Sequence, residues 1–184
     1  NLQTDCLDLL QLHTWTRAWN KNPKPLDVLK QLQAEGKIRF IGISTPEPDQ
    51  NSLIELIRRG YLDTVQVIYN IFDQNPEDEL FPACQEMDVA VIARVPFDEG
   101  SLTGTLTPET KWPEGDFRTL YFADGRLQES CRRVDLLKAD LPEGMNLPEL
   151  ALRFILHHPA VSTTIPGMRR AVHVERNLGV SDGK

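Results

Sequence analysis

What this chain lacks sets its first bounds. Its three cysteines, Cys6, Cys84 and Cys131, are odd in number and widely separated. No close Cys or Cys/His spacing offers a zinc motif, so no metal is implied and a reduced, cytoplasmic setting fits best. No apolar run approaches the roughly 20 residues that cross a bilayer, and the start lacks the basic-then-apolar layout of a signal peptide. Positive charge is in deficit, with 20 Lys and Arg against 27 Asp and Glu. The resulting net charge of -7 argues against nucleic acid or an anionic membrane as partners, while leaving room for a local basic site. The chain opens on Asn1 rather than Met, which fits a processed or truncated product.

What is present is an ordinary globular composition, 40% hydrophobic and 26% charged over 184 residues. That is enough for one sizeable core, so one domain over 1–184 is expected. Short apolar runs alternate with stretches of helical periodicity. Leu7 to His13, Ile38 to Ser44, Thr64 to Tyr69, Val89 to Ala93 and Val161 to Ile165 read as five strands. Helices are expected over Pro25 to Glu35, from Asp49 or Asn51 to Gly60, and over Glu77 to Glu86, Arg126 to Lys138, Leu147 to His157 and Ala171 to Leu178. Phe97 to about Asp124 is too rich in Gly and Pro for one element.

Strand and helix in alternation imply an α/β fold with a parallel sheet. Right-handed crossovers then gather the strand C-terminal ends, with His13, Ser44, Tyr69, Arg94 and the residues after Ile165, along one rim.

The residues at those ends carry a resemblance. The segments Leu7-Asp8-Leu9-Leu10-Gln11-Leu12-His13, Gly36-Lys37-Ile38-Arg39-Phe40-Ile41-Gly42-Ile43-Ser44-Thr45 and Val65-Gln66-Val67-Ile68-Tyr69-Asn70 come first. Pro96-Phe97-Asp98-Glu99-Gly100-Ser101-Leu102-Thr103-Gly104 and Ile165-Pro166-Gly167 with Asn177 follow in order. Together they resemble the aldo-keto reductase family, from its fourth βα unit onward. The resemblance implies about five parallel βα units of a (β/α)8 TIM barrel, with the N-terminal three units absent and a missing N-terminal barrel segment expected in the full-length protein. It also implies NADP(H), with NAD(H) as the alternative, and hydride transfer to an aldehyde or ketone.

Residue by residue, the resemblance assigns His13 to the carbonyl oxygen; the competing reading is a core histidine satisfied by its neighbours. Ser44, Thr45 and Gln66 fall on the nicotinamide carboxamide, with Thr45 standing where most members have asparagine. Arg94 stands where many relatives have a tyrosine stacked on the nicotinamide, and a salt bridge at the rim is an equal reading. Pro96, Phe97, Gly100 and Leu102 lie in the loop that crosses the pyrophosphate. Gly167, Met168 and Arg169, with Arg170 beside them, suit a 2′-phosphate at a helix N-terminus. His173, Arg176 and Asn177 fall at the adenosine end, Arg176 where relatives often have glutamate.

Trp15, Trp19 and Trp112, with Phe117 and Tyr121, are candidates for a substrate pocket. The family's aspartate, catalytic tyrosine and lysine have no counterpart here, since Tyr61, Tyr69 and Tyr121 lie in other motifs. The chain alone is therefore expected to be weakly active or inactive. The alternative is a non-catalytic nucleotide-binding or protein-interaction module related to the same family.

Overall fold

The computed structural model describes residues 2–183. Each short β-branched or leucine-rich run takes up strand geometry: β1 (Leu7–His13), β2 (Ile38–Ser44), β3 (Thr64–Ile68), β4 (Ala90–Arg94) and β5 (Val161–Thr164). The five form one sheet in the order β1-β2-β3-β4-β5, every neighbouring pair parallel. Strands in strict chain order follow from crossovers that all run one way. A doubly wound sheet reverses at a switch point, so this order marks barrel-type winding instead.

Helices fill the crossovers. α1 (Lys24–Ala34) joins β1 to β2, α2 (Ile54–Arg58) joins β2 to β3, and α3 (Leu80–Glu86) joins β3 to β4. The long β4–β5 connection holds α4 (Arg118–Tyr121), α5 (Arg126–Ala139) and α6 (Leu147–His157), and α7 (Ala171–Leu178) follows β5. α3 starts three residues later than the periodicity of Glu77 to Glu86 suggests. Pro76 opens a separate 3-10 turn over Asn75–Glu77, and the Glu77 carboxylate accepts the Tyr69 hydroxyl at 2.6 Å. Asp49 gives its side chain to Arg17 at 2.6 Å and caps no helix.

Alternation along the strands divides the sheet into two faces. Ile41, Ile43, Val65, Val67, Val91 and Ala93 point to the helices and are fully buried against Leu26, Leu56, Ile57, Leu80 and Phe81. Each such large aliphatic side chain contributes about 1.5–3 kcal/mol by leaving water. The opposite face carries Leu9, Gln11, His13, Phe40, Gly42, Ser44, Thr64, Gln66 and Arg94, and Phe40 there is 45% exposed. Gly42 is required on that face: a Cβ would meet the Thr64 Oγ1 at 2.2 Å and the Gln11 Cγ at 2.8 Å.

Candidate functional site

Strand register brings the first group of expected site residues together. His13 pairs with Ser44, and Ser44 with Gln66, so the three form one row across β1, β2 and β3 at the C-terminal rim. His13 is exposed, whereas Ser44 is 3% exposed and its Oγ is buried without a hydrogen-bond partner. The Gln66 Oε1 accepts from the Gln11 Nε2 at 3.3 Å, which fixes the amide orientation from the row below.

Thr45 has a different part from the one its motif suggests. It is fully buried, its N–H donates to the Gln66 carbonyl at 2.9 Å, and its hydroxyl donates to the same oxygen at 3.4 Å. The side chain therefore clips the β2 turn to β3. Arg94 reaches over β3 to the same turn, its Nη2 donating to the Thr45 carbonyl at 3.4 Å, while its Nε is buried without a partner. Among the described residues it makes no ion pair within 4 Å. Burial pulls its pKa down and Glu47, Glu99 and Asp73 pull it up, and a guanidinium so placed stays charged.

The loop after β4 is strained. Val95, Asp98 and Glu99 take positive φ of 57°, 45° and 52°, a region that costs a non-glycine residue energy, β-branched valine most of all. Hydrogen bonds hold it there: the Asn70 Nδ2 donates to the Val95 carbonyl at 3.0 Å, and Ser101 Oγ donates to the Asp98 carboxylate at 2.6 Å. Asp98, only 3% exposed, also accepts the Tyr121 hydroxyl, to which Arg126 donates in turn. Burial and Asp98 push the Tyr121 phenol well above its usual range, and burial with Glu77 does the same to Tyr69. Pro96 is buried and Leu102 fully so, and Gly100, at φ 110°, has open space where a Cβ would be. Leu102 therefore has only backbone to offer a ligand.

The second group of expected residues meets at the start of α7. Phe97, Gly167, Arg169, Arg170, His173, Arg176 and Asn177 line one cleft of about 710 Å³, with Glu149 of α6 on its wall. No side chain caps α7, so its first backbone N–H groups and its positive dipole end add to the guanidinium groups of Arg169 and Arg170, while Arg176 comes from its last turn. The Asn177 Nδ2 is buried without a partner. Met168 stands apart, in a smaller pocket of about 110 Å³ with Leu156 and Thr163.

The aromatic candidates do not converge. Trp15 is 2% exposed, donates its indole N–H to Asn20 at 2.8 Å and belongs to the core, so it presents no surface to a substrate. Trp19 packs edge-on against it, and Trp112 stacks on Phe122 with ring planes 7° apart. Asn70 and Asp98, which fix the strained loop, escaped sequence reasoning. The local signals were an asparagine closing a turn onto the N–H groups of Phe72 and Asp73, and an aspartate three residues before Ser101.

Unpartnered buried polar atoms are rare in folded proteins. Eight occur among the described residues, and three of them, Ser44 Oγ, Arg94 Nε and Asn177 Nδ2, stand at positions the resemblance gives to the nicotinamide nucleotide. The residues present thus fit that group. Among the described residues no set of three or more His, Cys, Asp or Glu could hold a metal ion, and no helix is long and apolar enough to cross a membrane. Burial pushes the Cys84 thiol up to about 12, which leaves it protonated and unreactive at neutral pH.

Parallel strands in chain order, a polar row at their C-terminal rim and a cationic cleft beyond the last strand define a protein of the β/α-barrel class. The family model described as the aldo/keto reductase family matches residues 1–183, and the chain belongs to that family. The structure of an aldo-keto reductase from Bacillus halodurans in its holo form superposes with a TM-score of 0.75 at 32% identity, covering 100% of this chain and 56% of that one. Among curated proteins, an NADH-specific methylglyoxal reductase of Escherichia coli is 27% identical, over 96% of this chain and 55% of its own length. An aldo-keto reductase of Schizosaccharomyces pombe, named with NADP(+), is 28% identical over 97% of this chain and 53% of its own length. The chain spans little more than half the length of the relatives it matches.

Proposed function

We propose that this chain supplies the carbonyl-orienting and nucleotide-binding side of an NADP(H)-dependent oxidoreductase that reduces an aldehyde or ketone. The observation that carries the reading is the cleft at α7, where Arg169 and Arg170 stand at a helix start with no capping side chain and Arg176, from the last turn of the helix, lines the same cleft. In a protein of net charge -7, such a local cationic site suits a phosphate monoester like the 2′-phosphate of NADP. When bound, the cofactor supplies the hydride. His13 would donate a hydrogen bond to the carbonyl oxygen, stabilising the negative charge that develops there. Ser44 and Gln66 would hold the carboxamide. The backbone from Pro96 to Gly100 would run beside the pyrophosphate.

The preference among cofactors is open to a binding test. Titration of the 184-residue chain with NADPH and with NADH, followed by calorimetry, should show tighter binding of NADPH. Replacing Arg169 and Arg170 together by alanine should weaken NADPH by about tenfold or more, the loss of charge-assisted hydrogen bonds. NADH should change little. Equal losses for both nucleotides sink the 2′-phosphate assignment.

One observation favours the second reading, a non-catalytic nucleotide-binding module. Tyr69 and Tyr121 both give their hydroxyls to carboxylates and have phenols shifted upward, so neither suits proton donation near neutral pH. Nucleotide binding by the full-length protein without NADPH consumption in the presence of methylglyoxal would support this reading. Turnover by the chain that is abolished by His13→Ala would overturn it.

A further inference from the structure

Of the strand ends His13, Ser44, Ile68, Arg94 and Thr164, Arg94 alone carries a permanent positive charge. It pairs in register with Ile68, on the same face as Gln66 and just beyond it, so its side chain leaves β4 above the row of Ser44 and Gln66. From there it crosses β3 to the β2 turn, where Nη2 meets the Thr45 carbonyl at 3.4 Å. That long bond is the only one the side chain makes among the described residues, and the buried Nε has no partner. Glu47, Glu99 and Asp73 act on the guanidinium by charge, and none of them bonds to it. One weak bond to a carbonyl does little to offset the cost of taking a guanidinium partly out of water.

A second demand at this place explains it. A nicotinamide whose carboxamide is held by Ser44 and Gln66 sets its ring beside that side chain. The reduced ring is neutral, and the planar guanidinium can lie against it. Loss of hydride to a carbonyl carbon makes the ring cationic. Two positive charges then face each other in a partly buried site where water screens them poorly.

We propose that Arg94 makes the site discriminate between the oxidation states of its nicotinamide cofactor, holding the reduced form in preference to the oxidised one. In a mixed pool the protein is then loaded for reduction. After hydride transfer, repulsion from Arg94 speeds release of the oxidised cofactor. The same preference raises the reduction potential of the bound couple, so it lowers the driving force of the transfer itself. The proposal rests on the cofactor reading above and assigns Arg94 a part in it that does not depend on the 2′-phosphate.

The test is calorimetry of the full-length protein near neutral pH with NADPH, with NADP+, and with 2′-phospho-ADP-ribose, which has the phosphates and no nicotinamide. In the parent, NADP+ should bind about tenfold or more weakly than NADPH. In Arg94→Gln the ratio of the two dissociation constants should fall about tenfold, equivalent to about 30 mV in the potential of the bound couple. Binding of 2′-phospho-ADP-ribose should stay within about twofold of the parent, because the charge it leaves out is the one Arg94 meets. Arg94→Lys, which keeps the charge, should retain most of the preference. Arg94→Met serves where the glutamine variant does not fold, and if neither folds the parent ratio decides.

NADP+ bound by the parent as tightly as NADPH, or a ratio that Arg94→Gln leaves unchanged, overturns the proposal. An equal loss for all the ligands does so too, since it makes Arg94 a pyrophosphate ligand. No heat with any of them overturns the cofactor reading itself, a different result from binding without discrimination.

Discussion

The two ends of the proposed cofactor path are built by opposite means. At the rim, Ser44, Thr45, Gln66 and Arg94 are tied through backbone and side-chain bonds that cross from strand to strand, and Ser44 and Thr45 are buried. At α7, arginine and histidine side chains stand in an open cleft, on or just before a helix that has no buried residue. The first end is specified by register and can shift only with the sheet. The second is specified by charge on flexible stems and can adapt. A planar ring that must be placed for hydride transfer needs the first construction. A phosphate, bound by charge from several directions, is served by the second.

If that contrast holds, damage at the rim should cost stability and damage at α7 should cost affinity alone. The largest loss is expected from Asp98→Ala. It removes a buried carboxylate and leaves the Ser101 and Tyr121 hydroxyls without their acceptor, for about 3–4 kcal/mol. Urea unfolding measures it, and a loss below about 1 kcal/mol would mean the strained loop has other support. Gly42→Ala comes next, at about 1–3 kcal/mol, because the new methyl must displace the Thr64 hydroxyl and the Gln11 stem on the row beneath Ser44. The double substitution of Arg169 and Arg170, which weakens NADPH, should by contrast leave unfolding within about 0.5 kcal/mol. A comparable loss of stability there would erase the distinction between the two ends.

The same division explains what was legible in the sequence. β1 and β2 are read to the residue, because apolar runs bounded by turn signals report a buried strand directly, and the rim row follows from their parallel register. The arginine cluster at α7 is legible because local charge needs no folding to be seen. Hidden from the sequence is how side chains are spent. Thr45 beside Ser44 looks like a ligand and serves the sheet. Trp15 at a strand mouth looks like a pocket wall, but Asn20, five residues on, draws its indole into the core. Asp98 looks like loop polarity, and its meaning depends on Tyr121, 23 residues away. Such partners are set by tertiary approach, which neither periodicity nor local motif reports.

Glu99 gives the smallest and most diagnostic effect, because it borders the two ends at once. It is among the charges that act on Arg94, and it lines a pocket shared with Arg169. Burial first, then Asp98 and Glu47, raise its carboxyl pKa above the usual range, against the pull of Arg94 and Arg118. A carboxyl raised in the folded state binds its proton more tightly there than in the unfolded chain. Its contribution is then fully present below the unfolded pKa and is lost as pH rises through the folded one. Glu99→Gln should therefore match the parent in urea midpoint near pH 4 and exceed it slightly at pH 7.5. A variant that is less stable at pH 7.5 would show that Arg94 and Arg118 outweigh burial, and that the charged rim stabilises the loop it is here taken to strain.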